Sequence, residues 1–357
     1  MSDTRVTFDQ LNHFIRQTML ALGLPPEDAA TVARLMAQAD LQGSDGHGVI
    51  RIPQYARRIL AGGVNTTPTI RVKEERLATA LLDGDNGMGH LVMQRAADMA
   101  IEKARRCGMA WVGSQFSNHA GPASLYARMP LAHDMIGLYF AVGNANHLPP
   151  WGGLDMLLST NPIAVAIPTQ DETPIVLDMA TTVAAYGKVK AKAQRGEMMP
   201  EGWMIDRQGQ PLLDPKRSEE GFLMPIGGYK GYGLSLIVGL LAGTLNGAAM
   251  GKAVIDFNKD DTSVTNTGQA IAVIDPSAFG DIGEFKARVD TLVRELRASD
   301  RMPGVDRIWL PGEQSEAKRQ DYTAHGIPIA SALTQQLNQV ADRLTVPRLS
   351  DTPTSFL

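Results

Sequence analysis

Gly227-Gly228-Tyr229-Lys230-Gly231-Tyr232-Gly233 leads straight into the most apolar part of the chain, residues 234–250. A loop reading G-x-G-x-x-G between a strand and a helix would hold a dinucleotide on a standard Rossmann unit. Gly231-Tyr232-Gly233 lacks the third glycine, and so does Gly87-Met88-Gly89. A phosphate P-loop is absent too. The stretch therefore argues against a standard Rossmann domain. It still sets a lysine ahead of a long apolar helix, where free N–H groups and a cation would hold a phosphate. A tight turn with a solvated lysine explains the same residues equally well. Ser235, Gly239, Gly243, Thr244, Asn246 and Gly247 interrupt the apolar run, so a buried helix over 231–245 is expected rather than a membrane span.

Around this loop, helices and strands mix without strict alternation. Thr7-Phe8-Asp9-Gln10 reads as a capping box, with Leu11, Phe14, Ile15, Met19 and Leu22 following at helical spacing. Pro25-Pro26-Glu27-Asp28 opens a second helix, and Pro53 suits the first turn of a third that Gly62-Gly63 ends. Strands are expected at 69–72, 78–82, 109–112, 135–142, 163–168, 175–179 and 270–274. A glycine-rich turn is expected at 83–90, followed by a helix to Arg106. Further helices are expected at 182–192, 282–298 and 331–344. The reading divides the chain into an N-terminal helical segment (1–75), an α/β core (76–275), a C-terminal helical segment (276–345) and an extended tail (346–357).

The chain has 357 residues, enough for a sizeable core. Its net charge of −4 offers no basic excess for nucleic acid or a membrane surface. The single cysteine, Cys107, excludes an intrachain disulfide and a cysteine-based zinc site, and reads as a small residue at a helix end. None of the seven histidines pairs with another at i+2, i+3 or i+4, so no metal site is expected. No signal peptide is read at the N-terminus, and a cytoplasmic location is expected.

Two histidines stand in suggestive company. In Asp45-Gly46-His47-Gly48-Val49-Ile50-Arg51-Ile52-Pro53-Gln54-Tyr55 an imidazole sits between glycines, with a guanidinium at i+4 and a phenol at i+8. These are a proton carrier, a carboxylate clamp and a hydrogen-bonding ring. In Ser117-Asn118-His119-Ala120-Gly121 the second histidine lies at the mouth of the 109–112 strand, where sites collect. The apolar run Pro174 to Leu177 ends on Asp178, either a helix cap or a ligand contact at a strand end.

Eight motifs occur together in order. They are Asp45-Gly46-His47-Gly48-Val49-x-Arg51, Ser117-Asn118-His119-x-Gly121, Pro150-Trp151-Gly152-Gly153, Ser159-Thr160-Asn161-Pro162-x-Ala164, Leu177-Asp178-Met179-Ala180-Thr181-Thr182, Tyr229-Lys230-Gly231-Tyr232-Gly233-Leu234, Asn266-Thr267-Gly268-Gln269 and Leu310-Pro311-Gly312-Glu313. In this the chain resembles the malate/L-lactate dehydrogenase family that is distinct from the Rossmann-type lactate and malate dehydrogenases. That family includes ureidoglycolate, sulfolactate and 2,3-diketo-L-gulonate oxidoreductases and a cyclic-imine carboxylate reductase.

The resemblance implies a non-Rossmann nicotinamide-binding α/β fold with a mixed sheet, its N-terminal helical segment and C-terminal helix packed together. It implies hydride transfer between NAD or NADP and C2 of a small 2-oxo, 2-imino or 2-hydroxy acid, in a homodimer or higher oligomer. His47 is the implied proton donor, with His119 as its competitor or partner and Arg51 as the clamp. Tyr55 and Thr160 join Arg51 as substrate contacts, and His147, which lies in a segment departing from the family pattern, is expected as a substrate contact peculiar to this chain's subgroup. Asn144, Asp178, Met179, Ala180, Lys230, Gly231, Gly312 and Glu313 are implied cofactor contacts. Two positions depart from the family pattern. Gly46 replaces a frequent serine, and Gly143 to Pro149 replaces a Ser/Thr-rich segment. A catalytically inactive ligand-binding or regulatory protein on the same scaffold is the rival reading.

Overall fold

The structure is a computed structural model that describes residues 4–352. A short strand, β1 (Thr4–Val6), enters α1 (Phe8–Ala21) through the expected reciprocal cap: the Gln10 N–H donates to Thr7 Oγ1, and the Thr7 N–H donates to Gln10 Oε1. Then come α2 (Pro26–Leu41) and α3 (Ile52–Leu60). The α/β part holds β2 (Arg71–Glu75), β3 (Thr79–Gly87), α4 (Gly89–Cys107), β4 (Met109–Ser117), α5 (Ser124–Ala127), β5 (Ile136–Ala141), β6 (Ile163–Ile167) and β7 (Ile175–Met179). It continues through α6 (Tyr186–Arg195), β8 (Met204–Asp206), β9 (Gly221–Leu223), α7 (Tyr229–Ala242) and β10 (Gln269–Ile274). The chain closes with α8 (Ile282–Ala298), α9 (Glu313–His325), β11 (Ile327–Ile329) and α10 (Ser331–Leu344).

Seven strands form one mixed sheet in the order β2-β3-β4-β10-β5-β6-β7. Its one parallel pair, β3 with β4, is joined by α4, as a parallel pair requires a crossover. Val92, Met93, Ala96, Ala97, Ala100 and Ala104 of α4 are fully buried against the sheet, and the alanines allow close approach. On another part of the sheet Val238 and Ala242 of α7 pack on Phe140 and Val142. A further core joins Leu11, Phe14, Ile15 and Met19 of α1, Val32 and Met36 of α2, Ile52 and Tyr55 of α3, and Leu337 and Ala341 of α10. Each large apolar side chain buried there contributes roughly 1.5–3 kcal/mol. β1 pairs antiparallel with β11, with Val6 opposite Ile327, so the strand before α1 and the strand before α10 are tied together at this helical core. The expected packing of N- and C-terminal helices is present.

Several expectations need correcting. The 109–112 strand runs on to Ser117, because its polar residues are satisfied inside: Ser114 Oγ donates to Gln269, 3.2 Å away. The glycine-rich turn is instead the end of β3, distorted by Asp85 and Asn86 at φ 50° and 55°. The 182–192 helix starts only at Tyr186, because residues 181–183 pair with 224–226, as in the Val183 N–H to Met224 carbonyl bond of 2.8 Å. α9 is absent from the sequence reading because it has no apolar stripe; it is tied to α8 by the Glu313–Arg297 ion pair and braced internally by Arg319–Glu316. The tail is not extended over 346–352: Leu349 is buried in a 3-10 turn, Leu349–Asp351. Residues 353–357 of that tail lie outside the described residues. The buried helix over 231–245 stops at Ala242 and leaves Ile237 53% exposed.

Candidate active site

The turn after α2 carries His47, and its shape follows from two glycine-scale constraints. Asp40, buried at the end of α2, accepts the Val49 N–H at 2.7 Å. Gly48 packs on that carboxylate so closely that a Cβ would lie 2.1 Å from it. Gly46 has open space around it. Gly48→Ala should therefore cost about 1–3 kcal/mol of stability by overpacking. Gly46→Ser should stay within about 0.5 kcal/mol of wild type. Urea unfolding of both variants reads the contrast, and equal losses would refute this geometry.

β4 delivers His119, and Asn118 fixes its backbone. Asn118 Nδ2 donates to the Asn86 and Gly87 carbonyls at 2.8 and 2.9 Å, while Asn118 Oδ1 accepts from Thr265 Oγ1 at 2.7 Å. The two histidines then meet: His47 Nδ1 lies 3.2 Å from His119 Nε2. On the other side of the ring, Tyr55 Oη lies 2.5 Å from His119 Nδ1. Phe257 stacks on His119 with ring centroids 5.7 Å apart. Buried Arg58 holds the loop behind Phe257 through the Gly63 and Ser263 carbonyls and Thr265, and the Asn144 carbonyl accepts the Phe257 N–H at 3.0 Å. Arg51 is oriented by its own neighbours, Nε to the Gly46 carbonyl at 2.8 Å and a terminal nitrogen to Gln54 Oε1 at 3.0 Å.

The result is a chain of hydrogen bonds, His47–His119–Tyr55. Each link can run in either direction, and the tautomer of His119 sets the direction for all of them. The surroundings hold the chain neutral. Desolvation, helped by Arg51 and His90, pulls His47 down to about 3. Desolvation followed by Arg51, His47 and His90 holds His119 well below its ordinary value. Desolvation raises Tyr55 against the pull of Arg51.

The other sequence-assigned residues lie along a second line. Thr160 accepts the Thr181 N–H and hydroxyl on its carbonyl at 2.8 and 2.9 Å. Asp178, Met179 and Ala180 end β7 and lead into that contact. The Ile226 N–H donates to the Thr181 carbonyl at 3.0 Å, which brings Gly227 to Gly231 beside the same strand end. The side chain of Asp178 caps α5, accepting the Ser124 N–H at 3.0 Å, rather than a helix of its own. Asn144 Nδ2 donates to Thr267 Oγ1 at 2.6 Å, between this line and Phe257. Gly312 lies against Val176 of β7 at φ 96°. The Glu313 carboxylate is committed to Arg297 at 2.6 Å and to the Leu310 N–H at 2.9 Å. His147 stacks on Tyr186 with centroids 4.2 Å apart; burial pulls it down to about 4 against the pull of Asp256. The ammonium of Lys190 lies 5.4 Å over the other ring of that pair, Tyr186. It is lowered by desolvation and then by Arg51, which puts two cations in one neighbourhood.

Four residues of this environment were missed in the sequence. Phe257 sits in an irregular loop and gives no local signal. Tyr186 and Lys190, four apart on α6, become meaningful only once Tyr186 is found on His147. His90 falls in the stretch that the sequence presents as a turn, although its place after Met88-Gly89 resembles the glycine flanking of His47.

A histidine pair, a phenol and an oriented guanidinium form an arrangement that could pass a proton and pair with a small anion. Comparison with known proteins gives the class. Residues 6–338 match the model of the malate/L-lactate dehydrogenase family. Malate dehydrogenase of Pyrococcus abyssi is 38% identical over 354 residues, covering 97% of this chain and 96% of that protein. Ureidoglycolate dehydrogenase (NAD(+)) of Escherichia coli K12 is 32% identical over 333 residues, covering 93% and 95%. The solved structure of malate dehydrogenase from Pyrococcus horikoshii OT3 superposes with a TM-score of 0.88 at 36% identity, covering 97% of each chain. The chain belongs to the malate/L-lactate dehydrogenase family. It is an oxidoreductase.

Proposed function

We propose that the protein reduces small 2-oxo acids, and oxidises the matching 2-hydroxy acids, with NAD(H) or NADP(H), using His47 as the proton-exchanging residue. The observation that carries this reading is the His47–His119–Tyr55 chain with Arg51 set four residues from His47.

The strand-end line fits a dinucleotide. α7 begins without a side-chain cap, after two glycines in the left-handed region at φ 57° and 66°. Gly231 lies so close to the Ile226 carbonyl that a Cβ would meet it at 1.9 Å. Free N–H groups of this kind, with exposed Lys230 beside them, suit a pyrophosphate. Met179, Ala180, Asn144, Gly312 and the backbone at Asp178 and Glu313 would line the rest. When bound, the nicotinamide supplies the hydride exchanged with C2.

The protein supplies orientation and the proton. Arg51 takes the substrate carboxylate on its free edge. His47 Nε2 exchanges a proton with the oxygen on C2, giving it in reduction and taking it in oxidation. Nδ1 must keep its own proton meanwhile, or the ring would become an imidazolate. His47 Nδ1–H then donates to His119 Nε2, and His119 Nδ1–H donates to Tyr55 Oη. Tyr55, His147 and Thr160 shape the space around the acid.

Fluorescence titration with NADH and NADPH tests the cofactor assignment. At least one should bind, and Lys230→Ala should weaken it about tenfold, the scale of one charge-assisted contact. Binding of neither coenzyme would favour the inactive-scaffold reading; unaltered affinity in the variant would return Lys230 to solvent.

We also assign a homodimer. α7 is apolar all round, yet Ile237, Leu240 and nearby Leu245 are exposed, and a helix of that kind needs cover. The face continues to exposed Tyr229 and Lys230 at the strand-end line, so a second copy there would close both. Sedimentation should give a dimer for the wild type and a monomer for Ile237→Asp; a monomeric wild type rules this out. A single cysteine suits a reducing compartment, the cytoplasm.

A further inference from the structure

His90, the second residue of α4, is fully buried, and neither ring nitrogen has a hydrogen-bond partner. An imidazole left so costs free energy unless something nearby uses it. Its ring meets that of Tyr55 edge to face, with centroids 6.0 Å apart and planes at 77°. Its Nε2 faces Gly121: a Cβ at that glycine would lie 3.3 Å from it. The Gly121 N–H in turn points at His119 Nδ1 over a long 3.4 Å, against 2.5 Å for Tyr55 Oη at the same atom; when Nδ1 carries the proton the short Tyr55 contact is kept and the long Gly121 one lapses. Position 121 is at φ 85°, where glycine is favoured, and its bare α-carbon leaves room between His90 and the chain of hydrogen bonds.

The chemistry assigned to His47 leaves one hydrogen bond to be placed. With His47 donating to His119, and His119 donating to Tyr55, the Tyr55 proton must point somewhere else. Resting on the proposed reaction, we infer that His90 is a positioning residue that accepts the Tyr55 hydroxyl proton through one internal water, and so holds His47 with its proton on Nδ1 and Nε2 free to exchange with substrate. A buried water with two or more polar partners is an ordinary component of a protein interior. No proton is transferred to His90; it supplies a lone pair. The opposite setting has Tyr55 donating to His119 and His119 to His47. It places the His47 proton on Nε2 and makes that atom useless as a base.

The titratable and charged groups around this array are His47, Arg51 and Tyr55 from the α2–α3 region, Asp40 under Gly48, His119 just after β4, Tyr126 of α5, and Lys190 of α6 on the Arg51 side. Protonation of His47 requires the working direction of the chain. Removing the acceptor therefore favours neutral His47 in the opposite setting and lowers its apparent pKa in the complex.

Two His90 variants separate this role from packing. His90→Gln retains an acceptor and should keep kcat within about threefold of wild type with an unmoved pH profile. His90→Leu should lose about tenfold or more in kcat, with NAD(P)H affinity and KM within twofold, and the alkaline limb of the reduction profile, where His47 loses its proton, should move down by about one pH unit. A wild-type profile in His90→Leu overturns the inference, and so does equal damage in both variants. Should His90→Leu not fold, nitrogen-15 NMR of the wild type with coenzyme and oxalate reads the tautomer directly. A His47 proton on Nδ1 is expected; a proton on Nε2 overturns the inference. If the wild type turns over no 2-oxo acid, the functional reading itself has failed, which is a separate result.

Discussion

His47→Ala should lower kcat about 10²–10⁴-fold, the range that a positioned acid or base contributes, while NAD(P)H binding stays intact. The reason lies in the geometry around the ring. His119 already spends Nε2 on His47 and Nδ1 on Tyr55, so it has no nitrogen free for substrate while His47 is present. Removing His47 frees His119 Nε2 but leaves it the width of a missing imidazole away from the reacting oxygen. Some residual rate through water is expected. His119→Ala should be milder, because His47 keeps Nε2 and loses only the partner that fixes Nδ1; a tenfold fall is the scale of one lost hydrogen bond, about 1.4 kcal/mol. The ranking of the two variants decides which histidine exchanges the proton. A larger loss in His119→Ala would transfer that role to His119.

Arg51→Lys should raise KM for the 2-oxo acid about 10–100-fold, with a smaller effect on kcat. The guanidinium is held at two points, the Gly46 carbonyl and Gln54 Oε1, which aims its remaining N–H groups as a planar fork. A carboxylate docked on such a fork takes two parallel bonds. An ammonium offers a point charge, and it cannot satisfy Gly46 and Gln54 and still present a fork. Losing one charge-assisted bond accounts for about 1.5–3 kcal/mol. Steady-state kinetics at fixed saturating coenzyme reads the effect, and an unchanged KM would remove Arg51 from the substrate site.

The parts legible in the sequence share a physical cause. α1, α2, α4 and α10 bury an apolar stripe on a core, and that stripe writes the helical period into the residues. The Thr7–Gln10 cap is local, so it reads directly. α9 carries no such signal because its hold on the fold comes from ion pairs to Glu313 and within its own surface. The sequence shows only the first part of β4 because Ser114 and Gln115 look like loop residues; their hydrogen bonds to neighbouring elements cannot be read locally. The site divides in the same way. His47, Arg51 and Tyr55 fall within nine consecutive residues and were visible together. His119 joins them only through the β4 end and Asn118. Phe257 and Lys190 are brought in by tertiary contacts that leave no periodic trace. The missing glycine fingerprint also becomes intelligible: the sheet has one parallel pair, so there is no run of parallel strands to carry a Rossmann loop.

Gly46 keeps its interest. The open space around it means that a side chain was not excluded by packing. Gly46, whose own carbonyl accepts Arg51 Nε–H, is therefore bare by choice of sequence rather than by constraint of fold. Its hydroxyl-bearing variant is a direct probe of which acids the site accepts.

The most direct test of the central claim is isotopic. Coenzyme deuterated at the reactive C4 position, NADH and NADPH in turn, is mixed with the wild-type enzyme and a panel of small 2-oxo acids. The product is then read by NMR. Deuterium at C2 of a 2-hydroxy acid is the expected result, at a rate that falls about 10²–10⁴-fold in His47→Ala. Absence of deuterium transfer to any acid of the panel, or a His47→Ala rate equal to wild type, would contradict the assignment.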